Sequence, residues 1–136
     1  MEECVFCKIV KGELSAEKIY ETDKILAFLD IRPTNPGHVL VIPKEHHQNL
    51  VDTPDELLCE IILAVKKIAP ATVRAVEAGG YNLAVNSESV AGQVIFHTHF
   101  HIIPRFLNDG HELWHGKPYG EGEIEGVAKK IERELL

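Results

Sequence analysis

The chain has 136 residues, a formal net charge of −7, 45% hydrophobic and 26% charged residues, the make-up of one globular domain around one apolar core. The acidic balance argues against wrapping long nucleic acid, which takes clustered Lys and Arg; a small nucleotide stays open, because backbone N–H groups and a few histidines can hold one phosphate. Apolar runs such as Val39-Leu40-Val41-Ile42 are too short to span a bilayer, and the acidic opening Met1-Glu2-Glu3-Cys4 lacks the build of a secretory signal, so a cytoplasmic location is expected.

In chain order, Cys4 to Lys11 reads as a short helical turn ended by Gly12. Lys18 to Glu21 and Lys24 to Asp30 read as two strands joined through Thr22-Asp23. Arg32-Pro33-Thr34-Asn35-Pro36-Gly37 is dense in turn formers, and His38 to Ile42 is a third strand. Thr53-Pro54-Asp55-Glu56 predicts a capping box opening a helix, with Leu57, Leu58, Ile61, Ile62, Val65 and Ile68 at helical spacing. Pro70 is expected to kink or break that helix, with Thr72 to Ala78 continuing at an angle until Gly79-Gly80. Tyr81 to Asn86 and Phe96 to Pro104 read as the fourth and fifth strands, separated by a polar loop. Ile124, Val127, Ile131 and Leu135 predict a C-terminal helix. The order β-β-β-α-β-β-α lacks βαβ alternation and predicts an α+β fold: an antiparallel sheet of about five strands, helices on one side.

The three cysteines are Cys4, Cys7 and Cys59. An odd count without a secretory signal speaks against a disulfide framework. Cys59 lies among leucines and isoleucines and is expected to be buried. Cys4-x-x-Cys7 has zinc-knuckle spacing, with a reduced buried pair as the alternative.

Five of the eight histidines fall in two clusters, His46-His47 and His97-Thr98-His99-Phe100-His101. On a strand, His97, His99 and His101 would share one face about 6–7 Å apart at Cα, close enough to converge on a phosphate. An incidental polar face, a metal site and nucleophilic acid–base catalysis are the competing readings. Spacing alone does not separate the last two.

The segment Pro36-Gly37-His38-Val39-Leu40-Val41-Ile42-Pro43-Lys44, together with Ala91-Gly92-Gln93 and His97-Thr98-His99-Phe100-His101-Ile102-Ile103-Pro104-Arg105, closely resembles the histidine triad (HIT) family. Cys4 to Val10 and Ala27 to Ile31 resemble the opening of its HINT-like branch. The core motifs span residues 4–105 and leave 106–136 as a C-terminal extension of a single domain.

The resemblance implies cleavage at the α-phosphate of nucleoside phosphoramidates or dinucleoside polyphosphates, through a covalent nucleotidyl intermediate on His99. It implies His101 on the phosphoryl oxygens, with His38 and His97 completing the constellation. Asp30 would hold the ribose hydroxyls, Phe28 and Ile31 would line the base pocket, and Asn86 would lie at the phosphate. Gly92 and Gln93 would offer backbone N–H groups to developing charge. Some relatives complete a structural zinc site of Cys4 and Cys7 with a histidine after the Pro-Lys turn, here His46, and the first triad histidine, His97. An AMP-type purine nucleotide, a homodimer with contacts from the helix over Leu57 to Ile68, and no organic cofactor are further implications. Val94 stands where relatives often carry serine, which points away from amine leaving groups. A hydrolase with catalytic metal at the triad, or a nucleotide-binding module with little turnover, are the alternatives.

Overall fold

The computed structural model describes residues 4–136; Met1 to Glu3 of the acidic opening lie outside it. The elements are α1 (Val5–Val10), β1 (Lys18–Glu21), β2 (Ile25–Leu29), β3 (Val39–Pro43), α2 (Asp55–Val76), β4 (Gly80–Ala84), a 3-10 turn (Ser89–Ala91), β5 (Phe100–Arg105) and α3 (Glu123–Leu135). The sheet runs β1-β2-β3-β5-β4, with every neighbour antiparallel. This is the expected α+β architecture.

Strand periodicity divides the core in two. Ile25 and Ala27 of β2, Val39 and Val41 of β3, and Phe100 and Ile102 of β5 face α2, against Leu57, Ile61, Ala64, Val65, Ile68 and Ala69. The alternate residues Leu26, Phe28, Leu40 and Ile42 pack with Phe6 and Ile9 of α1. Helices therefore cover both faces of the central strands, which corrects the one-sided arrangement expected. It also explains why β2 and β3 are apolar at successive positions rather than alternating.

Two helix expectations are overturned, the Thr53 cap and a break at Pro70. Thr53 caps nothing: its Oγ1 donates to the Asn49 carbonyl at 2.8 Å and lies 2.7 Å from Thr98 Oγ1, so the hydroxyl ties the loop to the triad segment. α2 then starts behind Pro54 with no side-chain cap. Pro70 neither breaks nor splits the helix, which runs unbroken to Val76. Pro70 is exposed, and so is Lys66, whose carbonyl loses its partner there and is left to water, while Ile68, Ala69 and Thr72 stay buried on the sheet. The left-handed Glu77 (φ 57°) ends α2 before Gly79-Gly80.

Cys59, expected to be buried, is exposed, because Leu57 and Ile61 take the inward face of α2. Most of the Leu57–Ile68 apolar set is spent on the core of this same chain; Ile62 and Leu63 remain outside, as do Tyr81 and Leu83 on the edge strand β4. α3 has the expected apolar stripe but no buried residue. No helix among the described residues is long and apolar enough to cross a membrane.

Pro70→Ala should raise stability by about 1–3 kcal/mol, because a solvent-facing interior position regains its N–H donor and a good helix former. Urea unfolding measures this. An unchanged or lower midpoint would show that Pro70 fits α2 without cost.

Candidate active site

The α1 face of the sheet collects the polar residues at one end. His38 directly precedes β3, Asp30 directly follows β2, and Asn86 lies just beyond β4. His101 sits in β5 opposite Leu40 of β3 and Ala84 of β4. Strand parity puts Asp30 in line with Phe28, His38 with Leu40, and Asn86 with Ala84, so one sheet face delivers all four. Gly37 lets the chain enter β3 here. Its φ is +91°, and a Cβ would come within 2.9 Å of Val76 and 3.2 Å of Pro104.

β5 starts at Phe100, later than expected. Residues 97–99 precede the ladder, held by bonds from Thr98 N–H to the His47 carbonyl (2.8 Å) and between the Thr98 and Thr53 hydroxyls. The shared strand face predicted for His97, His99 and His101 is therefore not formed. His99 and His101 meet, with ring centroids 4.9 Å apart, and His101 meets His38 at 5.2 Å. His97 turns away to another cluster.

Hydrogen bonds fix the protons on these rings. Nδ1 of His99 lies 2.7 Å from the His97 carbonyl oxygen. A carbonyl only accepts, so Nδ1 carries the proton and the neutral ring keeps its Nε2 lone pair. His38 is the opposite case. The Thr34 N–H donates to its Nδ1 at 3.0 Å, which places the His38 proton on Nε2. That proton points at Nδ1 of His101, 2.9 Å away, and leaves the His101 proton on Nε2. Adjacent histidines thus present opposite faces of the same chemistry, a lone pair on His99 and an N–H on His101. Burial holds His38 and His99 below the usual histidine range, and burial followed by the neighbouring His99 and His38 lowers His101 to about 4.

The two rings open into a cleft of about 600 Å³, also lined by Phe28, Asp30, Ile31, Asn86, Gly92 and Val94. Phe28 is buried in its wall, while Ile31 is 89% exposed and Val94 85% exposed at its rim. Asp30 accepts from the Arg32 N–H at 2.9 Å through Oδ1, and its Oδ2 lies 3.8 Å from His38 Nε2. Asn86 packs beside Gly92.

The N–H groups of Gly92 and Gln93 are engaged within their own loop. They donate to the carbonyls of Ser89 (3.0 Å) and Glu88 (3.1 Å) inside the loop turn. The Gln93 side chain is a brace: Oε1 accepts from Glu88 N–H, and Nε2 donates to the carbonyls of Gln48 and Ile95. The brace holds Glu88 at φ 77°, ψ 153°, a region that a side chain other than glycine rarely visits.

His97 is fully buried. Its Nε2–H donates to the Pro43 carbonyl at 2.8 Å, so its Nδ1 lone pair faces Cys4 Sγ (3.4 Å), Cys7 Sγ (3.6 Å) and His46 Nδ1 (3.2 Å). Cys7 Sγ is also 3.3 Å from His46 Nδ1. The four donor atoms lie within 4.8 Å of one another. A tetrahedron with Zn–S of about 2.3 Å and Zn–N of about 2.0–2.1 Å has edges of roughly 3.3–3.8 Å, so the donor set fits that ion in size and type. Asp30, His38 and His101 form a second such group. It suits a metal less well, because the His38 proton already fills the space between the two rings.

The HIT domain model matches residues 11–108. The chain belongs to the HIT family. Its relatives place it in the HINT-like branch. A HIT-like protein of Methanocaldococcus jannaschii is 46% identical, over 94% of this chain and 98% of its own length. The adenosine 5′-monophosphoramidase of Schizosaccharomyces pombe is 40% identical, over 97% and 98%. Among solved structures, a Streptococcus mutans protein superimposes with a TM-score of 0.94 at 37% identity, covering all of this chain and 87% of that one.

Sequence reasoning missed two members of this HIT site, Phe6 and Thr34. Phe6 of α1 stands edge-on to His97, His99 and Phe28 with centroids 5.1–5.8 Å apart; its place between Cys4 and Cys7 was the available clue. Thr34 contributes only backbone, which no residue pattern reveals.

His101 should stay neutral well below the histidine range, titrating near pH 4. Its depressed pKa makes the unfolded chain bind the proton first, so stability contributed by the neutral ring is present above about pH 6.5 and lost as pH falls toward 4. An NMR titration of the ring checks this. A titration near pH 6.5 would mean that the His38–His101 pair is not held as described.

Proposed function

We propose that the protein is a nucleotide hydrolase or transferase that cleaves at the α-phosphate of a purine nucleotide substrate. The observation that carries this reading is the opposed protonation of two touching rings, a lone pair on His99 and an N–H on His101. The names of relatives support the substrate class: adenosine 5′-monophosphoramidases of two yeasts and the adenylylsulfatase of Arabidopsis thaliana.

In this reading the neutral Nε2 of His99 attacks the α-phosphorus and the bond to the leaving group breaks. The leaving group departs with the bonding electrons and takes a proton from water. The ring becomes a phosphoimidazolium whose Nδ1–H stays on the His97 carbonyl, which spreads its positive charge into a fixed dipole. His101 Nε2–H donates to a phosphoryl oxygen. Asp30 accepts from the ribose hydroxyls, and Phe28 and Ile31 flank the base. Water then attacks phosphorus, releases the nucleotide and loses a proton to solvent, which restores the lone pair.

Cys4, Cys7, His46 and His97 would hold a structural zinc ion, which would cross-link α1 to the loop after β3 and to the triad segment. The support is the donor set itself: two thiols and two imidazole nitrogens at tetrahedral spacing, with the His97 tautomer set by the Pro43 carbonyl. Protein purified without a histidine tag should contain about one zinc per chain, and Cys7→Ser should lose it and unfold more readily. Metal-free protein of full stability would remove zinc from the account.

His99→Ala should abolish nucleotide release from an adenosine 5′-phosphoramidate and from a dinucleoside polyphosphate, a loss of about a thousandfold or more. With Val94 at the rim, the amine should not be the strongly preferred leaving group. Equal release by the folded variant and the wild type would remove His99 as nucleophile; loss of release on chelation, with His99 dispensable, would favour a metal-centred hydrolase.

A further inference from the structure

Beyond β5 the chain builds a clamp that the mechanism above does not use. Asp109 Oδ2 accepts from Arg105 Nε (2.8 Å), the Phe106 N–H (3.1 Å) and Asn35 Nδ2 (3.0 Å). Its Oδ1 accepts from Arg105 Nη2 (3.1 Å) and the His111 N–H (3.0 Å). Asn35 is buried and spends its second amide hydrogen on the Pro104 carbonyl at 2.8 Å. The carboxylate therefore joins the end of β5 to the loop before β3.

The clamp has a second jaw. His111 Nε2–H donates to the Thr34 carbonyl at 3.1 Å. Thr34 is also the residue whose N–H occupies His38 Nδ1. Residues 34 and 35 are thus gripped from the side chains of Asp109 and His111, while the His38 N–H returns to the Asn35 carbonyl at 3.1 Å. In a neutral imidazole, the partner of one nitrogen decides where the single proton sits. An exposed loop that turned the Thr34 N–H toward water would leave His38 free to take either form, and His101 would follow it.

We propose that Asp109 and His111 are positioning residues: they hold the Thr34 N–H on His38 Nδ1, and so fix the N–H of His101 toward the cleft. The inference rests on the reading in which His101 donates to the nucleotide's phosphoryl oxygens, but the tautomer itself can be read without turnover. Neither residue touches the cleft. Their role lies in a proton position reached through two intervening hydrogen bonds.

The test compares full-length wild type, His111→Ala, His111→Gln and Asp109→Asn, using long-range nitrogen–proton NMR of the His38 and His101 rings and steady-state nucleotide release. The wild type should show both rings as single Nε2–H tautomers. His111→Ala should mix the tautomers of both rings and lower kcat about tenfold with KM within about twofold. His111→Gln keeps an amide donor and should restore both readouts. Wild-type tautomers in folded His111→Ala and Asp109→Asn would overturn the proposal. Should Asp109→Asn unfold, the exposed His111 site decides alone. A wild type that shows these tautomers and releases no nucleotide would sink the catalytic reading and leave the clamp to be judged on the variants' tautomers.

Discussion

The hydrogen bond from His99 Nδ1 to the His97 carbonyl is the interaction on which the site depends. It fixes the proton on one side of the ring and the lone pair on the other. It requires that residues 97–99 leave strand geometry, because an in-register β5 would commit that carbonyl to the ladder. It also requires that His97 not move. The His97 ring meets that demand with its own bond to Pro43 and its place beside Cys4, Cys7 and His46. One residue thus serves two neighbourhoods, its backbone turned to the His99 ring and its side chain to Cys4, Cys7 and His46.

The sheet divides labour by parity. One face of β2, β3 and β5 is given wholly to packing against α2. The other face packs on α1 at one end and presents polar groups at the other. Because both faces of the central strands are covered, these strands have no solvent side on which a register slip could be tolerated. The positions of Asp30, His38 and His101 are therefore held by core packing as much as by their own contacts.

The helical spacing of Leu57, Ile61, Val65 and Ile68, and the order of the five short strand segments around it, made the α+β architecture legible from residues alone. Gathering His38, His99 and His101 was legible too, through the family resemblance rather than through strand spacing. What failed were inferences that took local rules as final. Pro70 breaks helices in isolation, yet here it lies on the outer face of a helix whose inner face is anchored by burial. Thr53 has the right residue type for a cap, but a tertiary partner, Thr98, competes for its hydroxyl. Strand alternation mis-set His97 because β5 begins three residues after it. Backbone donors such as Thr34 carry no side-chain signature, so the relay that starts there could not be read in advance.

The cleft presents neutral dipoles where many anion sites present fixed positive charge. Its histidines are uncharged at neutral pH, and among the described residues lining it Arg32 is the lone cation, next to the carboxylate of Asp30. An anion held there would rest on hydrogen-bond geometry more than on ion pairing, unlike one held by a lysine- or arginine-lined pocket. At such a surface salt would act on an anion chiefly by screening the long-range repulsion of the chain's net charge of −7, so added salt would ease its approach where it weakens capture by a cationic pocket.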